Sequence, residues 1–275
     1  MIASGSQTIT APPLLETVSL SKSFKRLKAL SEHRLQVWPR EILGVIGPNG
    51  SGKSTLFNLI SGFLTPSSGE VFFEGRTLAG FPPAEVVRLG IARTFQGTRL
   101  FKDLSVLENV RAAAQLRQPT HLLEGVFGTP GFNRQRGIIE TQARDLLERV
   151  GLGMRAKLRA GSLPYGEQRR LEIARALATD PKLLMLDEPA AGLDSSETAE
   201  LLELLLSLRN TFGVTILVIE HDMDLIMNLC ERIQVLAQGE TIALGSPLEV
   251  QKNPRVRAAY LGDDLGDDVP GQSNP

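Results

Sequence analysis

The sequence predicts an α/β chain in which a mostly parallel central sheet follows a small N-terminal antiparallel β-subdomain and carries an inserted α-helical lobe. Three observations carry that prediction. Apolar runs at residues 42–46, 182–186 and 214–219 are short and nearly uninterrupted, as parallel strands buried on both faces require. Segments 14–20 and 34–38 alternate apolar with polar residues, the pattern of a half-exposed antiparallel sheet. Between residues 97 and 165 the pattern turns helical, over 106–116 and again over 141–150.

The 275 residues, 42% hydrophobic and 5% aromatic, suffice for a large core, and the folded unit is expected over 14–261. Residues 1–13 are rich in Ser, Thr and Pro, and 262–275 hold four aspartates and little apolar content, so both ends are expected to be disordered. Thirty basic against thirty-one acidic side chains give a formal charge of −1, which offers no overall drive toward nucleic acid or anionic lipid. Cys230 is the only cysteine, which excludes an internal disulfide and is compatible with a reducing cytosol. No apolar run reaches the ~18 residues of a membrane span, so any membrane role is expected to come through partners.

The strand at 42–46 runs into Gly47-Pro48-Asn49-Gly50-Ser51-Gly52-Lys53-Ser54-Thr55 and then into helix-like 56–60, which fits G-x-x-x-x-G-K-[ST] in its strand-loop-helix setting. Such a loop cradles phosphates. Its glycines let successive backbone N–H groups approach phosphate oxygens, and the following helix adds its positive end. Lys53 brings a point charge to the outer phosphates, and the Ser54 hydroxyl suits a Mg²⁺ ion that also binds phosphate. Upstream, Phe24 lies between the two alternating segments, where it either stacks on adenine or fills the small sheet.

Downstream, residues 70–74 read as a strand, Pro82-Pro83 opens a short helix ended by Gly90, and 91–95 is strand-like and runs into Gln96. A polar amide there can reach a Mg²⁺ ion or an attacking water, although many such glutamines only satisfy a loop. Within the lobe, 121–137 is rich in glycine and aromatics without a period, a partner surface or a plain loop. His33 and His121 have no neighbouring ligand pattern and read as structural. Leu163-Pro164-Tyr165-Gly166-Glu167 leads into a helix through Ala178, after which the run at 182–186 ends in Asp187-Glu188. Acids at the carboxyl end of a central strand sit where ligands bind in open α/β sheets: Asp187 can hold Mg²⁺ through water, and Glu188 can orient or deprotonate an attacking water. Asp194 or Ser195 caps a helix with Leu201, Leu205, Leu208 and Phe212 on one stripe. The strand at 214–219 then places His221 at the same sheet edge, within reach of a γ-phosphate or the catalytic carboxylate. A hairpin through Gln238-Gly239 and helices at 247–251 and 254–261 complete the chain.

This ordered constellation resembles the ATP-binding cassette family from about residue 14 to 261. The resemblance implies ATP and Mg²⁺ as ligands, Phe24 as the adenine-stacking aromatic, Gly47 to Thr55 as the phosphate loop, and Ser54, Gln96 and Asp187 at the metal. It makes Glu188, Gln96 and His221 the catalytic set. The family's Leu-Ser-Gly-Gly-Gln signature, which acts on ATP held by an opposing subunit, corresponds to Leu163-Pro164-Tyr165-Gly166-Glu167, where only Leu163 and Gly166 match. Pro164 cannot supply the serine hydroxyl, so an altered contact in trans is expected.

The segments Ala92-Arg93-Thr94-Phe95-Gln96, Leu163 through Arg175, Ile219-Glu220-His221-Asp222-Met223 and Ala259-Tyr260-Leu261-Gly262 are similar to one branch of that family, the ATPase subunits of bacterial importers for branched-chain amino acids. The resemblance implies pairing with a second similar ATPase, as homodimer or heterodimer, on two transmembrane permease subunits fed by a periplasmic binding protein. It places the chain peripherally on the cytoplasmic face of the inner membrane, with no nucleic-acid partner. The ATPase of lipopolysaccharide export and a non-transport cassette ATPase are the alternatives; the 121–137 segment and Pro164-Tyr165 count against the first, and a single phosphate loop against the second.

Overall fold

The computed structural model describes residues 12–116 and 130–264, and among them ten strands make two sheets. Strands β1 (Leu15–Phe24) and β2 (Leu27–Val37) form a hairpin. After β3 (Ile42–Ile46), which belongs to the second sheet, β4 (Ser68–Phe73) and β5 (Arg76–Thr77) complete an antiparallel sheet in the order β2-β1-β4-β5. Phe24 therefore ends β1 rather than lying between strands.

The second sheet adds β6 (Ile91–Arg93), β7 (Leu183–Asp187), β8 (Thr215–Ile219), β9 (Arg232–Ala237) and β10 (Glu240–Gly245), in the order β10-β9-β3-β8-β7-β6. All of its pairings are parallel except that of β9 with β10. The carboxyl ends of β3, β8, β7 and β6 consequently stand side by side along one edge. Because side chains alternate along a strand, each central strand feeds two cores. Ile42, Leu184, Leu186, Ile216 and Val218 pack toward the helices on one face, whereas Leu43, Val45, Leu183, Met185, Leu217 and Ile219 pack toward the antiparallel sheet. Gly44 is small for a reason: a Cβ there would come 2.9 Å from the Sγ of buried Cys230.

The helices are α1 (Lys53–Ile60), α2 (Pro83–Leu89), α3 (Val106–Ala114), α4 (Pro130–Arg149), α5 (Tyr165–Leu177), α6 (Ser195–Phe212), α7 (Met223–Leu229), α8 (Pro247–Lys252) and α9 (Pro254–Asp264). Helices α3 and α4 pack with the start of α5 around Val106, Val110, Leu147, Leu163 and Leu171, a third core that is the inserted lobe. Several boundaries differ from the sequence expectation; β1 and β2 are longer than the expected 14–20 and 34–38, and among the helices α4 and α9 differ most. Helix α4 begins at Pro130, inside the segment without a period, since Pro suits a first helical turn and two glycines lower helix propensity without forbidding the helix. Helix α9 continues to Asp264, past the expected end at 261. The remainder of the 121–137 segment before Pro130, His121 included, lies outside the described residues, as do 1–11 and 265–275. Helix α7 had no expectation; Asp222 caps it by accepting the Leu225 N–H at 3.0 Å. Asp194 caps α6 in a reciprocal box with Glu197, and of the expected stripe Leu201, Leu205 and Leu208 are buried while Phe212 is partly exposed beneath the Arg149 guanidinium.

Candidate nucleotide-binding and catalytic site

The loop from Gly47 to Gly52 joins β3 to α1 at the sheet edge defined above. Gly50 has φ 75°, a left-handed conformation, and a Cβ there would project into open space, so the loop keeps an unobstructed concave face. Gly52, with φ 107°, is the N-cap of α1, and a Cβ would lie 2.6 Å from the Ala29 carbonyl oxygen, so only glycine fits. The Lys53 ammonium is buried and donates to the carbonyls of Gly47 (2.6 Å) and Pro48 (2.9 Å), and more weakly to Ser51 Oγ (3.5 Å). Its acceptors are neutral. Burial lowers its pKa and the charges of Glu188 and Asp187 raise it, which leaves a desolvated cation that a phosphate would satisfy better than carbonyls do. Ser54 is exposed in the first turn of α1.

Two strands away, β7 delivers Asp187 and Glu188. Asp187 Oδ2 accepts a 2.7 Å charge-assisted bond from Arg93 Nη2, both side chains being buried. Arg93 also donates to Asn58 Oδ1 (2.7 Å) and Ser61 Oγ (3.0 Å) of the α1 segment, and its guanidinium lies over the rings of Phe57 and Phe95. One arginine thus ties the acid of β7 to the helix that follows the phosphate loop. Sequence reasoning gave Arg93 no role in the site. Its one sequence signal was an arginine inside the strand-like run at 91–95, where a buried cation must find an anion; the register that sets it against Met185, two residues before Asp187, is seen only in the structure.

Glu188 adopts φ 49°, left-handed for a non-glycine residue, and its Oε2 accepts from Gln96 Nε2 at 2.8 Å. The structure therefore brings together Gln96 and Glu188, which the sequence placed on separate strands. His221, two residues beyond the end of β8, which lies between β3 and β7, is 66% exposed and its ring approaches Glu220 (3.7 Å) rather than bonding to the Glu188 carboxylate. Phe24 is 43% exposed with Lys22 Nζ over its ring at 5.3 Å, so it is not a core filler. His33, read as structural, is buried between the two sheets.

The signature-like residues lie on the lobe side. Pro164 is the N-cap of α5, extended at φ −54° and ψ 157° and offering no side-chain cap, and Tyr165 begins the helix. Leu163 is buried in the lobe core, so its side chain faces inward. Gly166 is also buried: a Cβ would lie 2.4 Å from Glu197 Oε1 of the same chain. From α5, Arg169 donates to the carbonyls of Phe95 (3.0 Å) and Gln96 (2.9 Å) and to Glu172 (3.1 Å), while Glu172 accepts the Arg99 N–H at 2.7 Å.

The donor set fits Mg²⁺. Ser54, Gln96 and Asp187 offer hydroxyl, amide and carboxylate oxygens, the hard ligands this ion prefers.

The ABC transporter family profile matches residues 30–191, and a profile described as branched-chain amino acid ATP-binding cassette transporter matches 240–265. The chain is 45% identical over 251 residues to the high-affinity branched-chain amino acid transport ATP-binding protein LivG of Escherichia coli (strain K12), covering 91% of this chain and 98% of LivG. Among solved structures, the ADP conformation of MJ1267, an ATP-binding cassette of an ABC transporter, superposes with a TM-score of 0.80 at 33% identity, covering 92% of this chain and all of that one (100%). The dimeric post-hydrolysis structure of the cassette MJ0796 bound to ADP and Pi gives a TM-score of 0.72 at 27% identity, covering 85% of this chain and 98% of that chain.

Proposed function

The chain belongs to the ABC transporter family of ATP-binding cassettes, and from that premise we propose that it is the ATP-hydrolysing subunit of an importer for branched-chain amino acids. The observation that carries the substrate class is the likeness to branched-chain amino acid cassettes in the C-terminal segment, outside the part all cassettes share. Export and non-transport roles have no such support.

ATP binds with its phosphates on the backbone N–H groups between Gly50 and Ser54, at the positive end of α1, with its adenine against exposed Phe24. Lys53 gives up its carbonyl partners for the outer phosphates. Ser54, Asp187 and Gln96 would hold Mg²⁺, which would supply charge neutralisation at the phosphates. Glu188 takes the proton of the attacking water once Gln96 turns its amide away, and His221 contacts the γ-phosphate from the next strand. Arg93 holds the Asp187 carboxylate in place through its 2.7 Å bond.

The chain works as half of a dimer on permease subunits. Support for a partner comes from a cleft of about 240 Å³ between sheet and lobe, lined by Val87, Phe95, Arg99, Leu116, Arg175 and Thr179, beside exposed Phe101. No helix among the described residues is long and apolar enough to cross a membrane. The test is uptake of labelled leucine, isoleucine and valine by cells lacking this chain. Wild-type protein is expected to restore uptake and Lys53→Ala to fail; unchanged branched-chain uptake in the deletion, with loss of another solute, would reassign the substrate.

A further inference from the structure

Glu220 directly follows β8, one residue before His221, and is fully buried (0% exposed). Its Oε1 accepts the Ala190 N–H at 2.7 Å, and its Oε2 accepts the N–H groups of His221 at 3.0 Å and Asp222 at 3.4 Å. No lysine or arginine pairs with it among the described residues; the exposed His221 ring approaches it at 3.7 Å. Burial pushes its pKa up while the three backbone donors pull it down. A carboxylate is costly in such a place, and an ordinary apolar residue would instead leave buried amides unsatisfied.

The amides it collects belong to two different catalytic segments. Ala190 lies two residues after Glu188, and His221 and Asp222 open the loop after β8. Glu188 itself sits in a left-handed conformation that a non-glycine residue keeps only where its surroundings over-determine it. Its own N–H donates to the Ile219 carbonyl at 2.9 Å, so the stretch from Glu188 to Ala190 is pinned at one end to the last residue of β8 and at the other to Glu220, which follows it. We infer that Glu220 is a positioning residue for ATP hydrolysis: its carboxylate clasps the Glu188 segment to the His221 segment and fixes the two side chains relative to one another. The clasp acts through Glu188 and His221 and needs no contact with the nucleotide.

This rests on the assignment of Glu188 and His221 to the hydrolytic site, and the experiment separates the two. ATP turnover and ATP affinity are measured on the full-length chain assembled with its permease subunits, for Glu220→Gln, His221→Ala, the double variant and Glu188→Gln. Glutamine is nearly isosteric but replaces one acceptor by an N–H₂ group facing N–H donors. Glu220→Gln is expected to lower kcat about tenfold or more with KM within about twofold, a split that general loosening of the fold would not give. Adding His221→Ala to it should cost less than about threefold more, because both changes release the same geometry. Turnover of Glu220→Gln within about twofold of wild type, beside an inactive Glu188→Gln, would overturn the clasp alone, as would fully multiplicative losses. Normal turnover of Glu188→Gln would overturn the assignment beneath it. Should Glu220→Gln fail to fold, amide exchange of the wild-type chain decides: the Ala190 and His221 amides should exchange as slowly as those of β8, and exchange at the rate of exposed loops would refute the clasp.

Discussion

At the scale of single residues, the two sheets meet at a buried polar line. His33 of β2 shares Nδ1 with Thr17 Oγ1 of β1 at 3.2 Å and donates from Nε2 to Gln234 Oε1 of β9 at 3.1 Å, and Gln234 donates onward to the Arg34 carbonyl and Thr241 Oγ1, both at 2.9 Å. Burial, only partly offset by the Gln234 bond, lowers the His33 pKa to about 4 from an ordinary 6.5. The unfolded chain therefore binds a proton between those two values that the folded chain refuses. Stability is fully present above pH 6.5 and declines as pH falls toward about 4, by roughly 3 kcal/mol from this residue. His33→Gln keeps an amide in the line and removes the titration. Denaturant unfolding at pH 7 and pH 4 should show the wild type losing about 3 kcal/mol more than the variant over that interval, and equal losses would remove His33 as the cause.

At the scale of elements, α5 and the Gln96 loop behave as one piece. Arg169 and Glu172, both buried, hold the carbonyls of Phe95 and Gln96 and the amide of Arg99, so the helix that begins at Tyr165 is fastened to the residue that touches Glu188. Arg169→Met would strand a buried Glu172, whose pKa burial already raises, and should cost about 3 kcal/mol or more; the double change Arg169→Met with Glu172→Met should cost less than the sum of the singles. Chemical denaturation of the three variants measures this, and strict additivity would mean that the pair is not coupled. What the sequence made legible follows the same division. The loop at Gly47 to Thr55, the acids closing β7 and the cap at Asp194 declare themselves because their chemistry is written in adjacent residues. Arg93 on Asp187, Glu220 on Ala190 and Arg169 on Phe95 do not, because each joins residues distant in sequence and depends on strand order, which a local pattern does not contain. The start of α4 was hidden for another reason: glycines at 131 and 137 mask a helix that packing against α3 and α5 sustains.

At the scale of the whole molecule, the phosphate loop and the amino end of α5 serve different ATP molecules if two chains close face to face. The sheet edge holds Lys53, Glu188 and His221 together, whereas α5 starts from the lobe with an N-cap whose side chain satisfies no amide. Gly166 is a poor probe of that face, since any side chain there first meets Glu197 of its own subunit. Pro164 is a better one. It is exposed and already extended as an N-cap should be, and aspartate is among the best residues for that position, so Pro164→Asp should fold as well as the wild type. Its carboxylate would occupy the positive end of α5 and repel a phosphate presented by the opposing subunit. The isolated Pro164→Asp chain should bind ATP within about twofold of wild type yet fail to dimerise on ATP when hydrolysis is blocked by Glu188→Gln, while Lys53→Ala should lose ATP binding itself. Nucleotide titration followed by sedimentation or light scattering reads both. If Pro164→Asp abolished ATP binding by the isolated, folded chain as Lys53→Ala does, the amino end of α5 would belong to this subunit's own site and the face-to-face arrangement would be wrong.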